Sequence, residues 1–136
     1  MKAYFPLTVL LTVLAAACDN GSSTPVVSPT VASTDTFTGT VQVQGSDSHS
    51  FTVSQSGQIA VTLTMAGPPA TIFMGLGVGT PNGTTCSLLT NASVSTQAGS
   101  TAQLSGTASA GTYCVLVFDL GNQTAALNYT VTVSHP

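Results

Sequence analysis

Apolar and polar residues alternate in short runs along most of this chain, and glycine, proline and asparagine separate the runs. Ile59, Val61, Leu63 and Met65 alternate with Ala60, Thr62 and Thr64 until Gly67, Pro68 and Pro69 end the run. Ile72, Met74, Leu76 and Val78 repeat the pattern up to Thr80, Pro81, Asn82 and Gly83. Leu127, Tyr129, Val131 and Val133 do the same against Asn128, Thr130, Thr132 and Ser134. A period of two puts the apolar members on one face of a strand and the polar members on the other. Residues 40–44 alternate likewise, and Phe51 and Val53 follow a polar turn at residues 45–48. Residues 112–118 are apolar on both faces, the mark of a central strand. Weaker runs cover residues 84–89 and 101–106, the latter with Ala102 and Leu104 on one face. Beyond residue 17 no segment holds helical spacing. About eight short, β-branched strands with regular turn signals predict an all-β chain. The architecture expected is a single antiparallel β-sandwich or jelly roll.

The first residues break this pattern. Lys2 is followed by an apolar run from Tyr4 to Ala17, then by Cys18 and the polar sequence Asp19, Asn20, Gly21, Ser22, Ser23. Lys2, the apolar middle at residues 7–14 and the small Ala15, Ala16 and Ala17 have the layout of an export signal. The run is too short for a bilayer-spanning helix of ~20 residues, and Pro6 interrupts it. The arrangement resembles a bacterial lipoprotein signal, whose cysteine is acylated and becomes the new N-terminus. The resemblance implies removal of residues 1–17 and lipid attachment at Cys18, tying the chain to a membrane. A plain secretory signal with a chance cysteine is the alternative. Residues 18–35 then read as the lipidated cysteine and a Ser/Thr/Pro-rich tether. Residues 36–136 form the domain. The membrane, inner or outer, stays open; the domain faces the periplasm or the exterior.

Charge narrows the partners. After Lys2 there is no lysine, arginine or glutamate, and the acids are Asp19, Asp35, Asp47 and Asp119. Nucleic-acid binding needs cations that displace counterions from phosphate, and this chain has none to offer. Solubility falls to serine, threonine, asparagine and glutamine. Cys86 and Cys114 remain once Cys18 carries lipid, an even pair in an oxidising compartment, which reads as one disulfide. Two buried thiols are the alternative.

Three groups of residues resemble the bacterial pre-peptidase C-terminal domain. Phe37-Thr-Gly-Thr-Val-Gln-Val, Ser48-His-Ser-Phe-Thr-Val and Gly57-Gln-Ile-Ala-Val-Thr-Leu-Thr are similar to its opening strands. Ala70-Thr-Ile-Phe-Met-Gly-Leu-Gly-Val with Pro81-Asn-Gly resembles its middle hairpin. Ala110-Gly-Thr-Tyr-Cys-Val-Leu-Val and Asn128-Tyr-Thr-Val-Thr-Val resemble its closing strands. The resemblance implies a non-catalytic, jelly-roll-like sandwich, often appended to secreted peptidases and sometimes binding matrix polymers or calcium. Members often carry several acids near the second strand. Here Asp47 stands alone.

Catalytic chemistry finds little to use. Paired-carboxylate catalysis needs two acids brought together, and Asp47 and Asp119 each lie beside turn residues. His49 and His135 are available bases, but no nucleophile motif accompanies them, and His135 is expected to fray at the chain end. Isolated histidines and aspartates do not read as a metal site, and no cofactor is expected. Phe73 and Phe118 are expected as core or sheet-edge cover rather than stacking platforms, and Tyr113 and Tyr129 as core. The expectation is a lipid-anchored, exported, non-catalytic sandwich with a binding or structural role and a neutral polymer or protein as partner. A secreted carbohydrate- or polymer-binding domain, or an accessory domain to a peptidase, is the alternative.

Overall fold

The computed structural model of the protein describes residues 31–136. Eight strands follow one another: β1 (Ser33–Val41), β2 (Ser46–Val53), β3 (Gly57–Gly67), β4 (Met74–Asn82), β5 (Thr85–Thr96), β6 (Leu104–Ala108), β7 (Gly111–Phe118) and β8 (Leu127–His135). They form two four-stranded sheets, ordered β1-β8-β3-β6 and β2-β7-β4-β5, and every pairing is antiparallel. The chain crosses repeatedly between layers, and this order is that of a jelly-roll sandwich. No helix occurs among the described residues.

The alternating runs supply the core. Val61, Leu63, Met74, Leu76, Val115, Val117, Val131 and Val133 are fully buried between the sheets. Their strand neighbours Thr62, Thr130 and Thr132 face outward, so each strand is half apolar because each sheet has one wet face. β7 and β8, which read as central and closing strands, both lie in sheet interiors.

Several boundaries differ from the sequence reading, and β2 begins at Ser46, inside the expected turn at residues 45–48. β1 begins at Ser33, inside the expected tether, because residues 33–35 continue the ladder opposite Val133–His135. It ends at Val41 rather than Gln44. Gln44 adopts a positive φ of 58° in a turn closed by Gly45 N–H to the Gln42 carbonyl at 2.8 Å. In β3 the register shifts between Leu63 and Met65. The bulge turns Met65 outward, 43 % exposed, and puts Ala66 into the core instead. β5 runs on to Thr96, and β6 starts at Leu104, leaving Ala102 exposed before it.

The outer face of the β2-β7-β4-β5 sheet carries glycine along β4. Phe118 lies over Gly75 and Leu88 over Gly77, where any Cβ would collide with them. At Gly79 the β5 backbone itself passes too close for a side chain. The tip of the β4–β5 hairpin folds onto this face, bringing Thr84, Thr85 and Cys86 beside Ser46 and Ser48 of β2. The Cys86–Cys114 disulfide pins it there, with Cα atoms 5.9 Å apart.

The turn after β7 is organised by Asp119. One carboxylate oxygen accepts the Gly121, Asn122 and Gln123 N–H groups at 2.9, 3.1 and 3.2 Å, and the other accepts Gln44 N–H at 2.7 Å. Desolvation acts to raise the Asp119 pKa, but the four donors together outweigh it and hold the carboxyl below its ordinary 3.8. Asp119 sits by turn residues, as the sequence implied.

Candidate functional site

The two open edges of the sandwich differ in chemistry. Along the β1–β2 edge polar side chains, Asp35, Asp47 and His49, are set among the apolar inward residues Phe37, Val41 and Phe51. Phe37 of β1 stacks on His49 of β2, with ring centroids 4.9 Å apart and planes within 6°. Tyr129 of β8 donates its hydroxyl proton to Asp47 Oδ2 at 2.8 Å, and His49 Nε2 lies 2.9 Å from the same hydroxyl. A phenol has one proton, so Tyr129 accepts from His49, and the His49 proton resides on Nε2. Gly39 of β1 makes room, because a Cβ there would collide with both Asp47 and Tyr129. Burial, the hydrogen bond to Asp47 and the Asp47 charge all push the Tyr129 pKa well above the ordinary 10. It therefore remains a neutral donor. Farther along, His135 Nε2 meets Asp35 Oδ2 at 3.1 Å.

These groups correct two sequence expectations. Asp47 and the histidines are not isolated turn residues: β2 brings Asp47 and His49 together, and β8 adds Tyr129. His135 is not frayed; it is 6 % exposed and packs on Phe51 with centroids 5.5 Å apart. What separates the partners along the chain, |i−j| of 80 for His49–Tyr129 and 100 for His135–Asp35, is what hides them from a local reading. Among the described residues neither histidine hydrogen-bonds a serine or threonine hydroxyl. The arrangement ties β1, β2 and β8 together at this edge. No group of three or more metal-ligating side chains converges among the described residues.

The β5–β6 edge is open and nearly charge-free. A cleft of about 320 Å³ lies between the sheets here. Ile59, Val61, Val78 and Leu104 make its floor, Asn91, Ser105, Thr107 and Ser109 its polar rim, and Tyr113 an end wall. The Tyr113 hydroxyl donates to the Ser109 carbonyl at 3.1 Å, and Tyr113 is half-buried rather than core. Burial of 70–90 % of a small ligand is the ordinary service of a cleft of this size. β5 shapes its wall. The ladder pairs Gly77 with Ser93 and then Gly79 with Leu88, so residues 89–92 bulge opposite Val78 alone. Asn91 in that bulge takes φ 58°, a left-handed conformation that asparagine tolerates better than other side chains. Leu89 stays 43 % exposed at the mouth.

Of the residues singled out from sequence, Cys18 and residues 1–17 lie outside the described residues. Cys86 and Cys114 form the bridge, on the outer face of the sheet whose inner face meets the cleft at Val78 and Tyr113. Phe73 is 49 % exposed rather than packed, and Phe118 covers the outer face at Gly75. Ile59, Val61, Val78, Leu104 and Tyr113 were legible as strand positions, but the cleft they border was not, because its other wall is the bulge of β5, where Leu88 and Leu89 adjoin and no alternation runs through. No protein-family model matches the chain, and no curated protein is found similar to it.

Proposed function

We propose that the chain is an exported lipoprotein whose β-sandwich binds an uncharged partner at the cell envelope and performs no catalysis. The observation that carries the binding half is the cleft between β5 and β6, an apolar floor with an amide and hydroxyl rim and no charged side chain. A charged ligand buried there would have no counter-charge, which is costly. The anchoring half rests on Cys18 directly after the apolar run. The Cys86–Cys114 bridge supports an oxidising compartment. The jelly-roll order is what a resemblance to the pre-peptidase C-terminal domain implies, and it supports an accessory role rather than a free-standing enzyme.

Two measurements test this reading. Cells expressing the chain are fed a fatty-acid analogue: label on the native protein and none on Cys18→Ala supports anchoring, and equal labelling of both overturns it. The purified protein is then screened against neutral polymers, peptides and a hydrolase panel at low and high salt. Binding should be insensitive to salt, since screening acts on charges. Binding that collapses with salt overturns the neutral partner, and saturable turnover overturns the non-catalytic role.

A further inference from the structure

We propose that the β5–β6 cleft takes an extended, uncharged peptide segment, which adds to the free edge of β6 as a further strand of its sheet. The proposal rests on the binding role given above and names its ligand. Residues 105–109 all border the cleft in unbroken succession. Side chains of a strand alternate between two faces, so consecutive residues border one space only when the backbone edge faces it. β6 pairs with β3 on its other side and ends the sheet order β1-β8-β3-β6. Alternate N–H and C=O groups of β6 are thus unpaired towards the cleft, the template for strand addition.

The walls select the peptide. Leu104, Ala108 and Leu89 offer apolar contact to alternate side chains, while the rim offers only hydroxyl and amide partners. With no cationic or acidic side chain in the lining, a lysine or aspartate in the peptide would lose its hydration for nothing. Leu89, Asn91 and Ala92 of the bulge line the cleft together with residues 105–109 of the β6 side, so the space lies between two walls rather than on an open face. The upstream residues of this chain are a poor occupant: Pro25 and Pro29 lack the N–H a ladder requires.

Hydrogen exchange on the exported protein, with a short capped peptide alternating valine and threonine, tests the proposal. Three controls accompany it: the same peptide N-methylated at alternate residues, the same peptide with its valines replaced by aspartate, and a neutral glucan oligosaccharide. The alternating peptide should slow exchange at residues 104–108 and bind at least about tenfold more tightly than either altered peptide. Ala92→Trp, which fills the cleft from the opposite wall, should abolish the effect while keeping the melting temperature. Should that variant unfold, the N-methyl comparison decides alone. Equal binding of the N-methylated peptide, or protection elsewhere, overturns strand addition. Protection by the oligosaccharide alone overturns it too, yet leaves the neutral-partner reading standing. Protection that grows with protein concentration and no ligand shows a second copy on this edge and overturns the peptide. If no peptide binds at ~1 mM, strand addition is overturned, and the neutral-partner reading is decided separately by the wider screen at low and high salt.

Discussion

Asp119 gathers four backbone N–H groups from two separate turns, and its titration makes part of the fold's stability depend on pH at the acid end. The folded carboxyl is the stronger acid, so the unfolded chain takes up the proton first as pH falls. The stabilisation is complete at neutral pH and is lost below the ordinary 3.8. Melting curves taken from pH ~5 down to ~2 should fall steeply in the native protein and less steeply in Asp119→Asn. Equal slopes would show that the turn does not depend on this charge. Tyr129 sets the alkaline side with the opposite sign. Its folded hydroxyl is the weaker acid, so the unfolded chain ionises first and stability declines as pH rises beyond 10. Tyr129→Phe leaves Asp47 and His49 without their shared partner and should cost about 1–3 kcal/mol in urea unfolding. A cost near zero would mean that water replaces the hydroxyl at this edge.

Edge strands need protection against pairing with foreign chains, usually by lysine, and this sandwich has none to use. β1 and β2 carry Asp35 and Asp47 and β5 is broken by its bulge, which leaves β6 as the least guarded edge. The bulge hinges on Asn91. Asn91→Ala should cost about 1 kcal/mol through its left-handed φ, and Asn91→Gly should cost nothing or stabilise, as thermal melts would report. The reverse order would mean that the Asn91 side chain, not its backbone, holds the wall. The sandwich core was legible in sequence wherever a strand has one wet and one dry face: residues 59–63, 72–78 and 127–133 show the correct faces throughout. Met65 was misassigned because a bulge adds a residue without leaving a local mark. β5 beyond residue 89 was missed because its alternation is short and made of small residues, Ala92 and Val94 against Ser93 and Ser95, and the bulge at residues 89–92 cuts it off from the hairpin run. The bridge followed from cysteine count alone, whereas the Asp47–Tyr129–His49 group depends on β1, β2 and β8 meeting across the sandwich. The cleft was illegible for the same reason.

At the scale of the whole molecule, the core is small and the two sheets hold each other without salt bridges from lysine or arginine. The disulfide closes a sequence separation of 28 residues, and in the chain-entropy view this contributes about 3–4 kcal/mol. Joint replacement of Cys86 and Cys114 by serine should lower urea stability by that amount and free the hairpin tip to rapid amide exchange. Unchanged stability would place the tip's hold in its packing on β2 instead. The pairing of β1 with β8 sets Ser33 directly opposite His135, so the chain enters and leaves the sandwich at one corner. Mechanical force follows from this. Tension drawn through the two ends pulls neighbouring strands apart crosswise and opens the ladder from Ser33 towards Val41 one rung at a time, like a zip. Tension between the N-terminus and a handle at the Leu127 end of β8 runs along the strands instead and loads all the rungs of the pair together. In an optical trap the same molecule should therefore yield gently when held by its termini and resist when held by its N-terminus and residue 126.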